Sequence, residues 1–168
     1  MIFHLQFPAT EIPALAQRFG YPGDETQLYD LRAGITERCF LTLEELKIVC
    51  RWKTARSQSR VAKNTAFDVE AITKVCFSTE NERLRIGSLL LLEGVQYPTA
   101  SVILHFFHPD PYPILDVRAL EALGISKPPV YDFGFWFQYV AFTRQLAIDN
   151  GVDMRTLDKA LWQWSKEK

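Results

Sequence analysis

The sequence lacks any apolar run near the roughly 20 residues that a membrane-spanning helix needs. It also lacks the basic start and long apolar stretch of a secretory leader, so a cytoplasmic protein with no membrane partner is expected. Cysteine is scarce. Cys39, Cys50 and Cys76 are an odd number at wide spacings, which suits neither a disulfide framework nor a metal pattern. They read as small, mostly buried thiols. No phosphate-binding loop, dinucleotide fingerprint or nucleophile elbow is present. His4, His105 and His108 form no ligand spacing with Asp or Cys, and His105 reads as a core or boundary residue. Net charge is nearly absent, at −1, which argues against a polycation that coats nucleic acid non-specifically.

What is present is apolar and aromatic. Hydrophobic residues make up 48% of the 168 positions, enough for one sizeable core, so 1–168 reads as a single compact helical domain of the all-α class. Thr42 and Glu45 have capping-box spacing, with Leu41 and Leu46 placed as the staple. The helix that follows turns Leu43, Leu46, Val49 and Cys50 to one side. Thr65 is expected to cap a helix with Phe67, Ala71, Ile72 and Val75 as its apolar face. Thr79 and Glu82 predict a second capping box and a helix to about Leu92. Ala100, Ile103, Leu104 and Phe107 fall at i, i+3, i+4 and i+7. Asp116 can cap a short helix carrying Val117, Leu120 and Leu123, closed by Gly124.

The stretch 131–148 is rich in aromatics and reads as a largely buried central helix, with only Gly134, Gln138, Ala141 and Gln145 as a small or polar stripe. Its Phe133, Phe135, Trp136 and Phe137 suit core packing or the stacking of a base. Gly151 ends it. Asp153 opens a last helix with Leu157, Ala160, Leu161 and Trp164 inward, on which Asp158 and Lys159 read as ordinary surface charges. The first forty residues are less legible; 10–19 is expected to be helical, with a turn at 21–24.

Charge is unevenly spread. Over 47–64 the chain carries Lys47, Arg51, Lys53, Arg56, Arg60 and Lys63 and no acidic residue. Alone, such a run is an ordinary solvated face. It matters more because of the segment L-L-E-G-V-Q-Y-P-T-A at 91–100, a one-glycine turn between two amphipathic helices. Pro98 stands near the start of the second helix, where a missing N–H costs nothing. Backbone N–H groups at such a turn suit anions.

This turn, followed seventeen positions after Thr99 by Asp116 in Y-P-I-L-D (112–116), resembles the helix–hairpin–helix DNA glycosylase superfamily. That superfamily includes endonuclease III, adenine glycosylase and the 3-methyladenine glycosylases. The likeness covers about forty residues, 82–123, and centres on a hairpin at 80–107. It implies an all-α helical bundle, double-stranded DNA as partner, and hydrolysis of the N-glycosidic bond of a flipped base in base-excision repair; the sequence leaves the oligomeric state open, with a monomer favoured. Asp116 falls on the catalytic aspartate. Gly94, Val95, Gln96, Tyr97 and Thr99 would bring N–H groups to a phosphate. Main-chain carbonyls of Leu90, Leu92 and Val95 match those that hold a monovalent cation, potassium or sodium. No iron–sulfur cluster is expected.

The chain departs from the pattern where Gln96 replaces a second glycine. It departs again where Pro98 replaces the lysine of the bifunctional members, so no lyase activity is implied. The stretch 52–60 lies where relatives carry a loop that fills the hole left by the flipped base; Arg56, Gln58 or Arg60, with Lys53 beside them, would serve there as phosphate clamp or wedge. The alternative is a non-catalytic DNA-binding or interaction protein on a degenerate glycosylase scaffold.

Overall fold

A computed structural model of the protein describes residues 3–127 and 129–168. Among them every regular element is helical, as the capping signals and periodicities predict. In chain order these are α1 (Ile12–Gln17), α2 (Thr26–Arg38), α3 (Leu43–Lys53), α4 (Gln58–Val61), α5 (Ala66–Ser78), α6 (Glu82–Leu89), α7 (Tyr97–Phe107), α8 (Val117–Ala122), α9 (Phe133–Asp149) and α10 (Met154–Glu167). Short 3-10 turns, Ala9–Glu11 and Ala55–Ser57, precede α1 and α4. None of the described helices is long and apolar enough to cross a membrane.

The chain divides into two compact units, one of Met1–Pro22 with Asp110–Lys168 and the other of Gly23–Pro109. The sequence, read as one helical domain over 1–168, carries no marker of this division.

In Gly23–Pro109, α7 is the core helix. Thr99, Ala100, Ser101, Val102, Ile103, Leu104, Phe106 and Phe107 are all buried, and α2, α3 and α6 pack on it. The start of α3 follows the sequence closely. Thr42 Oγ1 accepts the Glu45 N–H at 3.3 Å, and Glu45 Oε2 accepts the Thr42 N–H at 2.8 Å. Leu41 and Leu46 are fully buried beside this box, a cap worth about 1 kcal/mol.

Two expectations fail in this unit. The cap of α6 is Asn81, whose side chain accepts the Leu84 N–H at 3.0 Å. Thr79 lies outside the helix because Asn81, two residues on, supplies the capping oxygen; Glu82 pairs with Arg85 at 3.3 Å, and Arg85 also donates to the Thr79 carbonyl. On α5 the buried positions are Val69, Thr73 and Cys76, whereas Phe67 is 79% exposed and Val75 39% exposed. The predicted apolar face therefore points outward. Both sides of α5 are apolar, and a hydrogen bond decides between them: Thr73 Oγ1 accepts the Leu41 N–H at 2.9 Å in the interior.

In the other unit α10 lays its apolar side on α1, α8 and α9. Residues 4 and 6 run alongside the end of α8, with His4 N–H to Leu123 O at 3.2 Å and Gln6 N–H to Ala122 O at 2.9 Å. Gly124 closes α8 with φ +83°, and a β-carbon there would lie 2.7 Å from the His4 ring. Leu120 and Leu123 are buried as expected, but Val117 is 59% exposed because it follows the cap directly on the outer side. On α9 the stripe Gly134, Gln138, Ala141 and Gln145 is exposed, as read from the sequence. Phe137 and Ile148 are exposed as well, so α9 is buried along one side and does not have the all-round burial of α7.

Candidate nucleic-acid interface

The turn between α6 and α7 is built by Gly94, whose φ of +82° is strained for any residue with a β-carbon. The space is also closed, since a β-carbon at 94 would meet Val61 Cγ2 at 2.7 Å, Val61 N at 3.0 Å and Arg60 Cβ at 3.2 Å. The turn thus rests directly on α4, in the basic segment. Asn64 fastens it. Its amide donates to the Glu93 carbonyl at 3.0 Å and the Val61 carbonyl at 2.8 Å, and its carbonyl accepts the Glu93 N–H at 2.8 Å. Gln58 ties the same segment to α3 through the Lys47 carbonyl at 3.1 Å.

The start of α7 carries no side-chain cap. Its first helical bond runs from the Ala100 N–H to the Gln96 carbonyl at 2.9 Å, so the N–H groups of Gln96 and Thr99 precede the ladder. Gln96 adopts φ −123°, ordinary extended backbone, so the missing second glycine introduces no strain. Val95 and the Thr99 side chain are buried, Tyr97 is half-buried and Gln96 is exposed. Of the carbonyls at Leu90, Leu92 and Val95, that of Leu92 already accepts the Val95 N–H at 3.1 Å. Arg56 and Arg60 are exposed and Lys53 half-buried. Sequence-predicted residues Gly94 and Arg60 are therefore neighbours, and Asn64, which joins the adjacent Glu93 and Val61, carried no sequence signal beyond its polarity.

Asp116 belongs to the other unit. It caps α8, with Oδ1 accepting the Arg118 N–H at 3.0 Å, and is half-buried. The backbone leading to it is held from two sides: Ile114 donates its N–H to Asp158 Oδ1 at 3.0 Å, and its carbonyl accepts the Tyr139 hydroxyl at 2.9 Å. Asp158 is buried and also takes Arg155 at 2.5 Å, so it is not the surface charge the sequence suggested. Its spacing from Met154 and Leu161, i+4 and i−3, puts it on the inward stripe of α10, a signal that was readable.

Three tyrosines feel the charge of this carboxylate. Burial raises the Tyr21 hydroxyl above its ordinary pKa, with the Asp116 charge adding to the rise and Arg155 opposing it. Burial followed by the same charge raises Tyr131. Fully buried Tyr139 is raised by desolvation first, then by Asp158 and Asp116. Of the aromatics weighed as core or base-stacking, Phe135 and Trp136 are buried and Phe137 is 45% exposed.

Among the described residues no group of three or more His, Cys, Asp or Glu side chains is placed to hold a metal ion. No protein-family model, curated protein or solved structure matches the chain.

Proposed function

We propose that this chain binds double-stranded DNA and acts as a monofunctional DNA N-glycosylase of base-excision repair. On this reading α6, the 90–96 turn and α7 form a helix–hairpin–helix in a glycosylase-like fold, working in the cytoplasm as a monomer. The observation that carries it is the juxtaposition within Gly23–Pro109 of an uncapped helix start, a glycine turn and Arg60. Oriented N–H groups at Gly94, Gln96, Tyr97 and Thr99 would meet one phosphate, that of Val95 being held by the Leu92 carbonyl, while Lys53, Arg56 and Arg60 meet its neighbours. A potassium or sodium ion on the carbonyls of Leu90, Leu92 and Val95 would add positive charge at that turn.

Asp116 supplies the chemistry. As the bond to a flipped base breaks, the sugar gains oxocarbenium character, which a fixed carboxylate stabilises. Its bond to the Arg118 N–H and the anchoring of Ile114 hold that carboxylate in one orientation. Pro98 offers no amine, so an abasic site is left uncut.

The test is Asp116→Asn, which keeps a cap for α8 and removes the charge. Base release from duplexes carrying uracil, oxidised purines, alkylated purines or mispaired adenine is followed after alkali. Excision by wild type and its loss by several orders of magnitude in the variant are expected, as for removal of an electrostatic interaction worth several kcal/mol. Equal excision by both would refute the role of Asp116. The second reading, a non-catalytic DNA-binding protein, draws on the capping bond itself, which gives Asp116 a structural purpose. Duplex binding with no excision of any of these bases favours it.

A further inference from the structure

Helix α10 turns its apolar side to the core, and its other side is a stripe of Arg155, Lys159, Trp162 and Lys166, at i, i+4, i+7 and i+11. Aromatic rings fix these cations. Arg155 and Lys159 lie over the Phe19 ring at 5.1 and 5.4 Å. Lys166 and Arg118 of α8 lie over Trp162 at 5.1 and 5.4 Å. The rings themselves form a cluster: Phe19 stacks on Tyr21, and both meet Trp162 edge-on at 5.2 and 5.4 Å. The loop that carries Phe19 and Tyr21 is bolted to α10 by the Gly20 N–H on Gln163 at 3.1 Å, by Lys166 on the Gly20 carbonyl at 2.6 Å, and by the Arg18–Glu167 ion pair at 3.0 Å.

We propose that this stripe is a second binding surface for the DNA phosphate backbone, running past Asp116. The inference rests on the DNA-binding reading above and extends it to the unit that holds the carboxylate.

Surface lysines ordinarily lose much rotamer freedom when they grip a ligand. Held over rings, these cations are ordered beforehand, so binding a phosphate costs them less. From Arg155 to Lys166 the stripe extends about 16 Å along the helix. Over that length one DNA strand presents about five phosphates. Carboxylates nearby compensate part of the charge: Arg155 pairs with Asp158, Arg18 with Glu167, and Glu121 lies near Arg118 and Lys168. Arg118 and Lys166 themselves donate to neutral carbonyls, those of Ser165 and Gly20. A linear row of cations fits a linear polyanion better than a single phosphoserine. A bilayer would want exposed apolar side chains to insert, and this stripe presents charges above half-buried rings. Adjacency to the candidate chemistry comes from Arg118, whose backbone N–H donates to Asp116 Oδ1 at 3.0 Å and whose guanidinium lies over Trp162 of the stripe; Tyr21, in the same cluster, feels the Asp116 charge.

The experiment measures binding of a fluorescein-labelled DNA duplex across a salt series. It compares wild type, Lys159→Gln/Lys166→Gln, Lys159→Gln/Arg118→Gln, Lys159→Arg/Lys166→Arg and Arg56→Gln/Arg60→Gln, with thermal melts confirming folding. Each glutamine pair on the stripe should weaken binding and flatten the slope of log K against log salt by up to about two, near 0.9 for each phosphate no longer neutralised. The arginine pair should keep the wild-type slope. Unchanged slope and affinity in both glutamine pairs, with weaker binding by Arg56→Gln/Arg60→Gln, overturn the stripe alone. Weaker binding by the glutamine pairs, with no excision of any of the four base types by wild type, supports the stripe and favours the non-catalytic reading of Asp116. No duplex binding by wild type, or tighter binding to a phosphoserine peptide or phosphatidylserine vesicles, overturns the stripe.

Discussion

At Gly94 two independent requirements coincide: the backbone is left-handed, and the space a side chain would occupy is filled by the side chain and backbone N of Val61 and the β-carbon of Arg60. Gly94→Ala should therefore destabilise the fold by at least about 2 kcal/mol, combining left-handed strain with overpacking. A urea midpoint within error of wild type would contradict this. Asp158 makes the opposite point, since its charge is buried and used. Asp158→Ala leaves the Ile114 N–H without its acceptor and Arg155 without its carboxylate. A loss of about 3 kcal/mol is expected. Because Ile114 leads to Asp116, any base excision should fall in Asp158→Ala even below its melting range. Full activity at that temperature would show that Ile114 positions nothing. Residue identity made Asp116 legible as a cap, and its bond to the Arg118 N–H agrees. Asp158 was misread because its type outweighed its register on the helix.

Elements were legible where local chemistry alone sets them. The box at Thr42 and the caps at Thr65 and Asp153 follow from side chains that bond within three residues, and the stop at Gly151 from the left-handed backbone, φ +61°, that glycine adopts without strain. Periodicity failed on α5 for a physical reason: a helix apolar on two sides does not say which side is inside. The interior bond between Thr73 and Leu41, thirty-two residues apart, is beyond any local pattern. Paired substitutions test the outcome. Val69→Ala should cost about 2 kcal/mol, as for the loss of two methyl groups in a closed core, and Phe67→Ala should stay within about 0.5 kcal/mol. Denaturant midpoints ranked the other way would return α5 to its sequence-predicted orientation. The hairpin turn was partly legible. Gly94 and Pro98 announced it, but its seat on Arg60 and Val61 depends on Asn64, a residue no motif contains.

Across the whole molecule, thiol reactivity reports burial directly. Burial pushes the Cys50 and Cys76 thiols up to about 12. Cys39 is exposed at the end of α2, with φ +60°, and departs from the expected pattern of buried thiols. One equivalent of an aromatic disulfide reagent should react quickly with native protein near neutral pH, and three after unfolding. Two or more fast thiols in the native state would mean that a core enclosing Cys50 or Cys76 opens.

The chain leaves one unit at Pro22 and returns to it only at Asp110, and this ordering has a consequence on the ribosome. Helix α1 packs on α10, so Ile12 and Leu15, nearly inaccessible in the finished protein, emerge long before the surface that covers them. At typical elongation rates that interval is on the order of ten seconds, time enough for Gly23–Pro109 to be completed in between. During it the nascent chain trails an uncovered greasy segment, and this stretch, rather than either core, is where a trigger-type chaperone would first take hold.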